Sequence, residues 1–500
     1  MPAQESDEPL FPLPLTPLET FFVLDEKESC PIAMLIELQF STPLQLPVLQ
    51  NALDETVKDH PLLACKLVRE GERFFWHFDP DLAPQVLTND DLPLTTGPAD
   101  NPQTQPFDLF RESGCRFWYV PEETGSRLYV QLHHACGDGV GMRQVLVGTL
   151  TRYARATGDP ECGKTSRKSS RSAPNPERLR DRNDFSELLS KPPKRSLTTW
   201  DRIRNAYYFH FQRPAVLSKP RGFGSASTQK EIESQAIGQP LRHVLFSKEE
   251  SASIERACSN ASIRVNDLAI AMLFQTFEQW EQTHGGGKAI RYRVMMPVDL
   301  RSRRDLNLPA TNRLSFAFLG RRKDQCQDIE QLVSSVADEV VAIKETRVHM
   351  DFLDGLAAAV QHPRFMRWVI DKSRHMTTSV LTYTGDLSRG MKKFFPESDG
   401  QLQIGDAYLR NALGSPPARE GTNIALGICI NWGQICISAS WNRQAWDAAT
   451  TDQFLQTYAS NWRAWLKRQD INQSATFGKS FRSNPHITKE GSISNDSDSK

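Results

Sequence analysis

The sequence predicts a mixed α/β sandwich made of two similar halves, and three observations carry that prediction. The chain has 500 residues, more than one ordinary hydrophobic core fills. Strand-like apolar runs alternate with helical periods in both parts, with hairpin signals among them, which disfavours a helix bundle and an all-β fold. At about Asp159 the composition shifts to Ser, Pro, Arg and Lys, as a crossover between two halves would.

The elements follow in order. Residues 1–15 read as a disordered lead-in. AMLIELQF, 33–40, is a buried strand. Residues 46–59 place Leu46, Leu49, Leu53 and Val57 on one helical stripe, with Pro47 near the start. Pro61 ends that helix, because the residue before a proline is driven out of the helical region. Residues 62–68, 73–78, 116–120 and 128–132 read as strands. From 140 to 157, Val145, Leu146, Leu150 and Tyr153 give a helical stripe. These elements form an N-terminal half over 16–160.

Residues 161–198 are the crossover. From Lys164 to Arg195 there are ten basic and four acidic residues, which reads as a solvated, mobile linker. RKSSRS within it has the look of a kinase site, with nothing else in support. The C-terminal half, 199–468, begins with a strand at 241–246. Ser247 and Glu250 form a capping box for a helix to Asn260. LAIAMLFQTFEQW, capped by Asn266 or Asp267, is apolar on most faces and reads as a central helix ending at Gly285–Gly287. Strands follow at 291–297, 316–319 and 380–385, with a helix at 327–348 between the last two. A hairpin at 424–430 and 434–440 and a helix at 444–467 close the half. Residues 469–500, rich in Ser, Asn and Asp, read as a disordered tail.

Composition excludes several function classes. Hydrophobic residues make up 39% and charged residues 24%, a soluble and globular balance. Lys plus Arg and Asp plus Glu each number 60, so overall charge points to neither nucleic acid nor an acidic membrane surface. The nine cysteines include no C-x-x-C pair, which argues against a zinc ribbon or a disulfide framework and suits reduced thiols in a cytoplasm. MPAQESDEPLFPLPL lacks a basic n-region and an apolar h-region, so no signal peptide is expected. No apolar run reaches the roughly 18–20 residues of a membrane span.

The stretch that carries chemistry is YVQLHHACGDGVG, 129–141. A strand delivers His133 and His134, and Gly137, Asp138 and Gly139 then turn the chain into a helix. The pattern is His-His-x-x-x-Asp-Gly: a proton acceptor beside a tight turn anchored by one carboxylate. Strand neighbours face opposite ways, so one histidine is structural. Residue types alone leave metal, hydrolase and transferase readings open.

Further motifs bear on the choice. HPLLACKLV follows the first long helix. Met296-Pro297-Val298-Asp299-Leu300-Arg301-Ser302-Arg303 follows a strand, and Asn312 comes after it. In this order the motifs resemble the coenzyme A-dependent acyltransferase superfamily over roughly residues 16–468. That group includes peptide-synthetase condensation domains, plant BAHD enzymes, wax-ester synthases and mycobacterial polyketide-associated acyltransferases. The resemblance implies two chloramphenicol-acetyltransferase-like α/β sandwich halves flanking a central tunnel. It implies that His134 is the general base there, with His133 in a packing role. It suggests Arg301 as a buried partner of Asp138, holding the turn; Asp138 is also a candidate to orient His134. Gly137 and Gly139 would supply turn backbone. The N–H of Gly139, or Thr382 and Tyr383 at a strand end matching active-site positions in relatives, would face the oxyanion or line the tunnel.

The chemistry agrees. A thioester is already activated, so the protein needs a base for the acceptor rather than a nucleophile of its own. Imidazole titrates near 6.5, and a positioned base contributes about 10²–10⁴ in rate.

Competing motifs are weaker. Gly158–Thr165 satisfies G-x-x-x-x-G-K-T, but a helix precedes it, a linker follows, and Asp159 and Glu161 would repel phosphate. His284-Gly285-Gly286-Gly287 lacks a G-x-S-x-G partner and suits a helix end. No ligand set completes a metal site at His133, His134 and Asp138. Cys136 reads as packing. The plant-type Asp-Phe-Gly-Trp-Gly string is absent, with Asn431-Trp432-Gly433 a faint echo.

The expected activity is acyl transfer from a thioester, acyl-CoA foremost, to a hydroxyl or amine of a secondary metabolite or lipid-like alcohol. No bound cofactor or metal is expected. With no carrier or adenylation segment, the chain reads as a stand-alone, cytoplasmic monomer. Two alternatives stand beside this reading. One is a condensation enzyme using a carrier-protein-bound donor in trans; the other is a non-catalytic binding protein on the same fold.

Overall fold

The computed structural model describes residues 9–27, 30–88, 106–159, 162, 173–220, 241–372 and 375–482. The strand that ends in the histidines, Gly125–His133, is buried along most of its length. It lies inside a seven-stranded sheet, between Ala33–Phe40 and Cys115–Glu122, with Ala33 opposite His133 and Cys115 opposite Leu132. The helices Leu46–Asp59 and Gly139–Ala156 pack on each other beside it.

A second sheet has six strands in the order Leu314–Arg322, Arg291–Asp299, Ser379–Asp386, Ile424–Asn431, Gln434–Trp441, Arg242–Leu245. The helix Val265–His284 packs between Ile329–Thr346 and Ala448–Arg482, and residues 268–274 are fully buried. Its all-round apolarity is thus matched by burial on every side. The expected two-half α/β arrangement is present.

The halves do not divide at one point in the chain. Ala407–Ser415 comes from the C-terminal half, yet it pairs with Ala33–Phe40 in the first sheet and carries Gln401–Ile404 and Glu397–Ser398 beyond it. The chain then returns to the second sheet at Ile424. The sheets touch at this crossing: a Cβ on Gly427 would stand 2.3 Å from the Gly414 carbonyl oxygen, so only glycine fits. Local patterning places no element between 385 and 424, so neither this strand nor its pairing is expected from it.

Other boundaries also move. The lead-in is structured from residue 9, with Leu13 and Pro14 paired to Trp76 and Phe75. Thr16 and Glu19 form a capping box that opens the helix Pro17–Asp25. Glu19 is fully buried, where Arg182 donates to it at 2.9 and 3.0 Å and Trp76 Nε1 at 3.3 Å. From residue 173 on, the crossover is therefore anchored rather than merely solvated: Arg182 and Leu179 are buried, and Arg313 donates to the carbonyls of Arg182 and Asp184. Charge density hid this, because the carboxylate that Arg182 meets, Glu19, lies 163 residues away.

At smaller scale, Pro61–Ala64 is a 3-10 turn and the strand begins at Cys65. Arg264, not Asn266 or Asp267, is the N-cap of Val265–His284; the Asp267 carboxylate accepts the Arg264 N–H at 3.1 Å. The closing helix runs on to Arg482, past the expected end at 467. The rest of the lead-in (1–8), RKSSRS, and the remaining tail (483–500) lie outside the described residues. No described helix is long and apolar enough to cross a membrane.

Candidate active site

His134 stands one residue past its strand, where its N–H donates to the Ile32 carbonyl at 2.8 Å. Its ring stacks on Phe22, with centroids 4.1 Å apart and planes 17° apart. It is 8% exposed and forms part of the wall of a cavity of about 470 Å³. Both sheets line that cavity: Met34 and Leu413 from the first, Met295 and Phe316 from the second. Nδ1 is fully enclosed, which leaves Nε2 as the nitrogen open to a substrate. Burial pushes the imidazole down to about 4, against the opposing pull of the Asp138 charge. At neutral pH it is an uncharged proton acceptor.

His133 faces elsewhere. It is wholly buried; its Nδ1 accepts the Ala135 N–H at 3.0 Å and its Nε2 lies 3.3 Å from Glu26. That bonding pattern assigns the proton to Nε2. Phe107 meets the ring edge-on at 6.0 Å. The geometry thus separates the two histidines into a cavity residue and a packing residue.

Asp138 is the N-cap of Gly139–Ala156. Its Oδ1 accepts the N–H groups of Val140 and Gly141 at 3.1 and 2.9 Å and Arg301 Nη2 at 2.8 Å. Its Oδ2 accepts Arg301 Nη1 and the Arg313 N–H, both at 2.8 Å. Burial raises the Asp138 pKa, but the charge and hydrogen bonds of Arg301 outweigh it and hold the carboxyl below its usual range. Five donors engage both oxygens, so the carboxylate has no spare acceptor site for His134.

The remaining expected residues divide. Gly139 is the first residue of the helix, where its N–H has no intrahelical acceptor. Thr382 and Tyr383 line the same cavity as His134, and burial pushes the Tyr383 phenol up to about 12. Gly137 and Gly139 both lie outside the left-handed region. The tight glycine is Gly141, where a Cβ would meet the Thr311 nitrogen at 3.1 Å and the Ala310 Cα at 3.3 Å. Asn312 donates from Nδ2 to the carbonyls of His134 and Ala135 at 2.6 and 3.2 Å, tying the histidine turn to the second half. Cys136 is fully buried.

Sequence reasoning missed several supports. Phe22 gives His134 its stacking surface. His60 accepts the Ala310 N–H at 2.9 Å, and burial pushes its imidazole down to about 4. Arg419 pairs with Asp25 in the cavity wall at 2.5 and 2.8 Å. The Thr16-x-x-Glu19 pattern was a readable signal for the helix that carries Phe22 and Asp25. Arg419 gave none, since its partner is 394 residues away. Among the described residues no group of three or more His, Cys, Asp or Glu is placed to hold a metal ion.

No family model matches the chain. An uncharacterized protein of Mycobacterium tuberculosis is 27% identical over 354 residues, covering 69% of this chain and 75% of that protein. Among solved structures, the starter condensation domain of rhizomide synthetase in complex with C8-CoA is similar with a TM-score of 0.59 and 12% identity, over 91% of this chain and 95% of that one. The X-domain from teicoplanin biosynthesis gives 0.56 and 15%, over 94% and 97%. Polyketide synthase associated protein 5 from Mycobacterium tuberculosis gives 0.54 and 16%, over 90% and 97%. The fold is that of condensation domains.

Proposed function

We propose that this chain transfers an acyl group from a thioester to a hydroxyl or amine acceptor, with His134 as general base. One observation carries the reading: an uncharged imidazole stands in the wall of a largely apolar cavity lined by both sheets. Nε2 of His134 takes the acceptor proton as the acceptor attacks the thioester carbon. The N–H of Gly139, or the hydroxyl of Thr382, faces the tetrahedral oxyanion; Tyr383, its strand neighbour, packs toward the second core. Its collapse breaks the carbon–sulfur bond, and the imidazolium returns the proton to the leaving thiolate. Asp138 and Arg301 hold the turn and take no proton.

The apolar lining suits an alkyl acyl group and a lipid-like acceptor. Acyl-CoA is the favoured donor, and a condensation domain of the same fold is known in complex with C8-CoA. An acyl group held by a carrier protein is the second reading, since several structural neighbours are peptide-synthetase condensation domains.

The test is thiol release from acyl-CoAs of increasing length against pooled alcohols and amines, beside an acyl-carrier arm. Acceptor-dependent release is expected, and His134→Ala should remove it while the circular dichroism spectrum stays unchanged. Full turnover by His134→Ala would overturn the mechanism.

A further inference from the structure

The helix Thr199–Phe211 has an outer face that nothing described covers. Trp200, Ile203, Tyr207 and Phe211 recur at helical spacing on one side and are 71%, 53%, 54% and 73% exposed. Tyr208 flanks them, and Tyr207 stacks on Phe211 at 5.3 Å. Exposed apolar residues are ordinary when scattered. Here five of the sixteen large ones among the described residues fall on one thirteen-residue helix, which makes a patch rather than scatter.

The face is held outward. Thr198 and Asp201 form a capping box at the N-terminus. At the other end Arg293 donates to the carbonyls of Tyr208, Phe209 and Gln212 at 2.8, 3.2 and 2.8 Å. Phe209 points inward and meets Phe318 edge-on at 4.8 Å. The helix therefore cannot roll its aromatic side into the core without breaking these contacts.

Charge decides what covers the face. The chain as a whole is neutral, but residues 191–213 contain Lys191, Lys194, Arg195, Arg202, Arg204 and Arg213 against a single acid, Asp201. Arg202 pairs with Asp351 and Arg204 with Asp201, so the excess lies in the flanks. A second copy of the chain would bring two basic flanks together. Segment 221–240, next along the chain, has only Phe223, Ile232 and Ile237 as large apolar residues, too few to cover the patch.

We infer that this helix docks the protein on an anionic lipid bilayer, with Trp200, Tyr207 and Phe211 entering the headgroup–acyl boundary and the flanking Lys and Arg residues meeting the lipid charge. Aromatic rings on one short helix, with basic residues in its flanks, match the chemistry of that interface. Docking of this kind needs no membrane-spanning segment.

The full chain is sedimented with phosphatidylcholine vesicles, with and without phosphatidylglycerol. The expected result is roughly tenfold or tighter binding to the anionic vesicles, weakened by salt. The Trp200→Ser/Phe211→Ser variant should lose that binding with an unchanged circular dichroism spectrum. Absence of binding to anionic vesicles, or equal binding by the double variant, overturns the inference. So does a concentration-dependent dimer that the double variant abolishes. The readout involves no turnover, so it fails or succeeds separately from the proposed chemistry.

Discussion

Arg301 holds both carboxylate oxygens of Asp138 at 2.8 Å, and this pair spans 163 residues of sequence to lock one half of the fold to the other. The same carboxylate caps the helix that begins at Gly139, so the pair also sets the turn that presents His134. Asp138→Ala would leave a largely enclosed guanidinium with only the half-exposed Asp299 carboxylate as counter-ion. A loss of about 3–5 kcal/mol is expected, read from urea unfolding, with activity falling alongside. Wild-type stability with no turnover would instead make Asp138 a partner in the chemistry.

Asn312→Leu removes the donor shared by the His134 and Ala135 carbonyls. Those buried acceptors should cost about 1–3 kcal/mol when left bare. His134 loses its tie to the second half, so thiol release should fall more steeply than stability alone explains. Turnover equal to wild type at a temperature where the variant is fully folded would refute this.

Gly139 and Gly141 should respond oppositely to alanine. A Cβ at Gly141 meets the backbone of Ala310 and Thr311, which cannot rotate away, so Gly141→Ala should cost about 1–3 kcal/mol. At Gly139 the Cβ site is open within 4 Å and the backbone N–H survives the substitution. Gly139→Ala should therefore fold normally and keep most of its activity. Thermal melts and thiol release on the two variants give the comparison directly.

Acid should destabilise the protein well above the carboxylate range. Burial lowers His134 and His60 to about 4 in the folded chain, whereas a histidine in the unfolded chain titrates near 6.5. Between those values the unfolded state binds protons that the folded state refuses. Stability is thus full above about pH 6.5 and falls as pH drops toward 4, by up to roughly 1.4 kcal/mol per pH unit for each site. Asp138, held below its usual range, stays charged across this window. Urea midpoints at three pH values test the slope, and a flat profile would contradict it. The acid limb of kcat/KM should inflect below 6.5 for the same reason.

Much of the fold was readable because its signals are local. The stripe Leu46, Leu49, Leu53, Val57 recurs within a few residues, and the helix Leu46–Asp59 follows from it. The hairpin Ile424–Asn431 and Gln434–Trp441 closes through Trp432 and Gly433, both at positive φ, a turn short enough to show in sequence. YVQLHHACGDG likewise carries strand, histidines and turn in one run, which is why the candidate site was legible.

By itself, then, the sequence determined the alternation of strands and helices, the two-half architecture and the stretch where chemistry is concentrated. Only the tertiary structure decided which chain segments meet. It put Ala407–Ser415 in the first sheet, set Glu19 on Arg182, Asp25 on Arg419 and His134 on Phe22, and put the close backbone contact at Gly141, beyond the expected turn glycines Gly137 and Gly139. Periodicity and capping arise from interactions within three or four residues and leave a local trace. A buried ion pair or a sheet crossing is selected by shape and charge across hundreds of residues, and neither partner carries the other's position in its own neighbourhood.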